Sequence, residues 1–239
     1  MKKLSSLNVK LYLDGANIEE MKRASQNELV SGFTTNPTLM RKDGVVDYVG
    51  FALQVIKSFP DYPISFEVFS DGLSEMEREA RVIAKWGKNV FIKIPITNTQ
   101  GVSTRPLIQK LSKEGMKLNV TAIMTLDQVD IVAESLDDNT EAVVSIFAGR
   151  IADTGRDPIP IMKDAKLKLK HLPKAQLLWA SPRELLNLFH AEECGCDILT
   201  ATPDIINKAF LVGKDLNQFS LETVKMFYED ALASKYEIK

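Results

Sequence analysis

Asn89-Val-Phe-Ile-Lys-Ile-Pro-Ile-Thr97 is an apolar run, rich in β-branched residues, with one charge near its middle. Its length and composition, with Gly87 before it and Pro95 near its end, are those of a buried strand. Lys93 therefore has to leave water. A buried, unpaired ammonium costs on the order of several kcal/mol or gives up its proton. A neutral amine is a nucleophile toward carbonyl carbon, the first requirement of Schiff-base chemistry. The alternative is a structural lysine that snorkels to the strand end or pairs with a carboxylate.

Outward from this run, short apolar stretches alternate with longer amphipathic ones. Strands are expected at 10–14, 32–36, 64–69, 90–95, 117–122, 142–147, 176–181 and 197–201. Helix-period segments include 74–87, 106–114, 126–135, 158–171, 182–193 and 202–210. Eight strands, each followed by a helical segment, predict a (β/α)8 barrel. No Pro-, Gly- or Ser-rich linker interrupts the alternation. Residues 1–239 therefore read as one TIM-barrel domain, the barrel spanning about 10–213. An extra C-terminal helix at about 220–234 carries Val224, Phe227 and Ala231 on one face. It is free to cover the barrel or to pass to a neighbouring copy. Ser181-Pro182 and Thr202-Pro203 read as helix starts, and Thr125 with Gln128 has capping-box spacing.

Side chains on barrel strands alternate between the interior and the helix-covered exterior. Leu11, Leu13, Ile64, Phe66, Val68, Ile92, Ile94, Leu118, Val120, Ala122, Val144 and Ile146 share the exterior parity, and all are apolar. The opposite parity carries Asp14, Thr34, Asn36, Ser65, Glu67, Lys93, Asn119, Thr121, Ser145 and Ser181. Barrel interiors are normally filled by branched apolar residues, because buried polar groups need partners. Seven strands that each send a polar residue inward, near the strand ends where barrel enzymes hold their active sites, point to catalysis. Asp14 and Glu67 are the inward carboxylates available to move protons for Lys93. Arg150 and Arg183 follow the sixth and seventh strands; beside a helix start, with the Ser181 hydroxyl, they suit a phosphate.

Composition narrows the alternatives. A net charge of −2 gives no electrostatic case for a nucleic-acid partner, and 45% hydrophobic residues suffice for a sizeable core. No apolar stretch is long enough to span a membrane, and the basic N-terminus lacks a signal-peptide core. Cys194 and Cys196 supply no disulfide framework, which fits a reducing cytosol, and read as packed thiols. His171 and His190 lack a second ligand at metal spacing, so no metal site is expected. Lys163 to Lys170 reads as a solvated basic face, while Trp179 has inward parity and could edge the site.

The motifs LYLDGAN (11–17), GFTTNPTL (32–39), FEVFSD (66–71), FIKIPIT (91–97), LNVTAIMT (118–125), VSIFAGRIADTG (144–155) and WASPRE (179–184) resemble, in order, those of the transaldolase family. The likeness covers about residues 10–210, and the TTNP turn and the lysine of KIP are its most specific signals. Length and the final helix resemble the small subfamily that includes fructose 6-phosphate aldolases. The resemblance implies that Lys93 forms a Schiff base with a ketose and that Asp14 removes the hydroxyl proton triggering carbon–carbon cleavage. Glu67 would act through a water shared with Thr121 in dehydrating the carbinolamine. Asn36, Asn119 and Ser145 would hold the retained dihydroxyacetone unit, and Arg150, Ser181 and Arg183 the sugar phosphate.

No metal or organic cofactor is implied, since the protonated imine is the electron sink. The resemblance further implies sugar phosphate substrates, the pentose phosphate pathway, a cytoplasmic location and a homo-oligomer, pentameric or decameric. Glu67 and Phe147 stand where the aldolase branch carries Gln and Tyr, which favours transaldolase over a fructose 6-phosphate aldolase releasing free dihydroxyacetone. A catalytically lapsed binding barrel is disfavoured by the intact set Asp14, Glu67, Lys93 and Thr121. Gly15, Ile146, Ala148 and Pro182 depart from the family's usual residues, Pro182 lying between two expected phosphate ligands.

Overall fold

Eight parallel strands close into a barrel in chain order, the last pairing with the first, in a computed structural model that describes residues 4–235. They are β1 (Lys10–Asp14), β2 (Val30–Thr34), β3 (Ile64–Glu67), β4 (Val90–Pro95), β5 (Leu118–Ile123), β6 (Ala142–Ile146), β7 (Ala175–Trp179) and β8 (Ile198–Ala201). Helices at Ile18–Ser25 and Tyr48–Ser58 complete the alternation around the first strands. The (β/α)8 architecture is therefore as the sequence predicts.

Parity sorts the apolar residues into two clusters. Leu11, Leu13, Ile64, Phe66, Ile92, Ile94, Leu118, Val120, Val144 and Ile146 join the large core between sheet and helices. A smaller cluster of Tyr12, Phe91, Val143, Leu178, Ala180 and Ile198 fills the barrel interior. Gly32 is part of that filling, because a Cβ there would lie 2.5 Å from the Tyr12 ring. The lower interior is thus a packed apolar plug, and the polar side chains collect above it.

Three departures from strict alternation matter to the site. Ala122 is expected outside, but it adopts φ 63° at a register irregularity in β5, and Ile123 takes the exterior core position instead. Such a bulge re-aims its neighbours, here Thr121. Trp179 is also corrected: it belongs to the exterior core near the His190 ring, while Leu178 and Ala180 face inward. Ser181 lies beyond β7, not within it, and turns toward the cavity through a left-handed φ of 57°.

Strand ends also shift. β2 stops at Thr34, because Asn36 leaves the sheet to cap the helix Pro37–Lys42, its Oδ1 accepting from Leu39 N at 2.9 Å. The proline after it has fixed φ and no N–H, which suits a first helical turn. β3 ends at Glu67, and Phe69 is exposed. The helix expected from Pro182 begins only at Leu186, without a side-chain cap from Ser181. Thr202 occupies an N-cap position before Pro203 but makes no capping bond, whereas the Thr125–Gln128 capping box forms in full. The basic run is paired outward: Lys163 with Glu193, Lys166 with Asp197 and Lys168 with Asp130. Both cysteines are buried and unbridged. The last helix extends over Leu216–Ser234, starting earlier than 220 because Asp215 caps it.

Candidate active site

The strand register brings the key side chains to one level. Glu67 on β3 lies opposite Lys93 on β4, which lies opposite Asn119 on β5, while Asp14 on β1 lies opposite Thr34 on β2. They open into a cavity of about 450 Å3 at the C-terminal strand ends. Ten of the eleven expected site residues line it: Asp14, Asn36, Glu67, Lys93, Asn119, Thr121, Ser145, Phe147, Arg150 and Ser181. Arg183 does not.

Lys93 Nζ sits 2.8 Å from Glu67 Oε2 and also donates to the backbone carbonyl of Thr35. Apart from that ammonium, no donor among the described residues reaches either Glu67 oxygen. Burial pushes the Glu67 carboxyl up to about 7, the opposing pull of Lys93 notwithstanding. A carboxyl so placed can exchange a proton near neutral pH, which is what an acid–base partner requires. Tyr48 fixes its backbone from behind, donating its hydroxyl to the Glu67 carbonyl at 2.9 Å.

Asp14 is gripped at both oxygens. Thr34 Oγ1 donates to Oδ1 at 2.7 Å and Asn36 Nδ2 to Oδ2 at 3.0 Å. Burial raises its pKa, with Lys93 and the two donors opposing that rise. Hydrogen counting orders the next link. The Thr34 hydroxyl has one hydrogen, so when it donates to the carboxylate, Thr200 Oγ1, 2.6 Å away, must donate to it. Asn36 cannot turn over without losing the helix cap its Oδ1 supplies. On the far side, Ser145 Oγ donates to Asn119 Oδ1 at 2.7 Å, and Asn119 Nδ2 donates to Ser65 Oγ at 3.0 Å.

At the rim, the Arg150 guanidinium lies 5.5 Å from the centre of the Phe147 ring. Gly149 lets its helix, Ala148–Asp153, press against the β7 loop: a Cβ would stand 1.5 Å from the Ser181 carbonyl oxygen. Arg183 points away from the cavity wall and forks onto Asp153, Nε to Oδ1 at 2.8 Å and Nη2 to Oδ2.

Thr35, Tyr48, Asp153 and Thr200 were not singled out by the sequence. Thr200 was legible, since period two along β8 puts it inward with Ile198. Thr35 acts through its backbone, which no side-chain pattern reveals. Among the described residues no cluster of His, Cys, Asp or Glu could hold a metal ion, and no helix is long and apolar enough to cross a membrane.

Fold and site define a (β/α)8-barrel protein with a buried lysine–carboxylate pair at its catalytic face. The family model "Transaldolase/Fructose-6-phosphate aldolase" matches residues 11–238. A "Probable transaldolase" of Dehalococcoides mccartyi is 37% identical over 193 residues, covering 80% of this chain and 86% of that protein. One from Nitrosopumilus maritimus is 31% identical over 235 residues, covering 97% and 100%. A solved structure of KGPDC from Streptococcus mutans aligns with TM-score 0.53 at 13% identity, covering 82% of this chain and 88% of that one. A 2,3-dimethylmalate lyase aligns at 0.55 and 12%, covering 98% and 86%. The structural likenesses concern the fold alone. The chain belongs to the transaldolase/fructose-6-phosphate aldolase family and is a transaldolase-type enzyme.

Proposed function

We propose that the protein is a class I, Schiff-base transaldolase. It moves a dihydroxyacetone unit from a ketose phosphate, sedoheptulose 7-phosphate or fructose 6-phosphate, to an aldose phosphate, as in the pentose phosphate pathway. The observation that carries the reading is the buried contact of Lys93 with Glu67, whose carboxyl is pushed up to about 7. Glu67 takes a proton from the ammonium, and the free amine adds to the C2 carbonyl of the ketose. Glu67 with Thr121, through a water, then returns a proton to the carbinolamine hydroxyl, which leaves as water and gives the protonated imine. Asp14 removes the C4 hydroxyl proton; the C3–C4 bond breaks, its electrons pass into the imine, and the aldose departs. The enamine left on Lys93 attacks the acceptor aldehyde, and Asp14 returns the proton.

Asn36, Asn119 and Ser145 hold the hydroxyls of the three-carbon unit, with Phe147 beside them. Arg150, Ser181 and Arg183 take the phosphate, Arg183 after leaving Asp153. Product analysis with and without erythrose 4-phosphate tests the transfer. Acceptor-dependent turnover is expected; rapid release of free dihydroxyacetone without acceptor would instead make the enzyme an aldolase.

The final helix supports a homo-oligomer. It has no buried residue, and Leu216, Val224, Phe227, Tyr228 and Leu232 are each more than half exposed. A helix this apolar is stable in water when its face is covered, and the occupant we propose is a second copy of the chain. Sedimentation should show an assembly that Phe227→Glu weakens; a wild-type monomer would refute it.

A further inference from the structure

Arg183 is held by a competitor. Its Nε and Nη2 form the side-on edge of the guanidinium, and both are spent on the two oxygens of Asp153. That edge is the one that binds a phosphate bidentately. Asp153 in turn feels both rim arginines: Arg183 holds its carboxyl below the usual carboxylate range, and Arg150 adds to the effect. The two loops cannot drift apart to relieve the competition. Gly149 N donates to the Ala180 carbonyl at 3.3 Å, and the Ser181 carbonyl occupies the space where a Gly149 Cβ would be. The Arg183 backbone is likewise pinned, its N–H donating to Asn187 Oδ1 at 2.8 Å. What can move is the side chain, because the ion pair is about half exposed on both sides. Arg150 lines the cavity while Arg183 and Asp153 do not.

We infer that Asp153 is a specificity-determining residue for the phosphate end of the substrate. This rests on the reading that Arg150 and Arg183 are the phosphate ligands. Asp153 occupies the bidentate edge of Arg183 as an internal stand-in, so a ligand recruits that arginine only by outcompeting a carboxylate. A dianionic phosphate does so; a neutral sugar or a singly charged group does not. The aspartate also subtracts one negative charge's worth of attraction from the rim and so weakens phosphate binding while sharpening the choice.

The test compares Asp153→Asn, Arg183→Ala and the double variant in the intact enzyme, with fructose 6-phosphate and unphosphorylated fructose as donors and inorganic phosphate as inhibitor. An exposed ion pair is worth little, so Asp153→Asn should lower the KM ratio of fructose 6-phosphate to fructose by about two- to fivefold. Inhibition by inorganic phosphate should strengthen by a similar factor. On the Arg183→Ala background the same substitution should leave that ratio where Arg183→Ala put it. A ratio that rises in Asp153→Asn would overturn the inference, because the aspartate would then be orienting Arg183 toward phosphate. An effect that persists without Arg183 would overturn it too. If Arg150→Ala and Arg183→Ala both leave the ratio at its wild-type value, the phosphate assignment itself has failed, and the role of Asp153 fails with it.

Discussion

Replacing Glu67 by Gln isolates what the fold spends to bury a carboxylate. Burial lifts this carboxyl from 4.5 to about 7, even with an ammonium 2.8 Å away. At about 1.4 kcal/mol per pH unit, that displacement corresponds to about 3 kcal/mol. Between those two values the folded chain holds a proton that the unfolded chain has released. The contribution to stability is therefore fully present below the unfolded-state value and is lost as pH rises toward about 7. The amide carries no such proton. Urea unfolding of both proteins from about pH 4 to about pH 8, at fixed protein concentration because association shifts stability, gives the difference directly. The wild-type stability, measured relative to Glu67→Gln, should fall by about 3 kcal/mol across the range. Parallel profiles would refute the claim that Glu67 is held near neutrality by burial. Activity should be nearly abolished in the variant at every pH, since an amide cannot exchange the proton.

Thr34→Val removes the Oδ1 donor of Asp14, one of the influences opposing its raised pKa. The acidic limb of the kcat/KM profile should therefore move to higher pH and return in Thr34→Ser; an unmoved limb would show that Asp14 does not set it. Gly149→Ala would put a methyl 1.5 Å from the Ser181 carbonyl oxygen, forcing the two rim loops apart. A cost of about 1–3 kcal/mol in stability is expected. The KM for phosphorylated donors should rise more than that for unphosphorylated ones, and wild-type values in both measurements would refute the clamp.

How much of this was legible in the chain depends on which residues obey local rules. The period-two pattern sorted inside from outside because Leu11, Leu13, Ile92 and Ile94 belong to one apolar core and Asp14, Glu67 and Lys93 to the cavity. The same rule failed at Ala122 and Trp179. A residue in the left-handed region or past a strand end no longer alternates, and nothing in the local sequence announces the bulge. Ser181 reaches the cavity although it is not a strand residue, so its placement was right for a different physical reason. Asn36 was expected on a strand; it does its work as a helix cap that happens to aim an amide at Asp14. The pairing of Arg183 with Asp153 spans 30 residues and two loops, and it depends on the close approach at Gly149. Such contacts follow from the closed barrel, not from spacing along the chain.

Reduction with borohydride in the presence of fructose 6-phosphate, followed by peptide mass mapping, tests the central claim most directly. The account predicts a stable secondary-amine adduct on the peptide that carries Lys93 and none in Lys93→Ala. An enzyme that turns over but leaves Lys93 unmodified, or an adduct on another lysine, would contradict it.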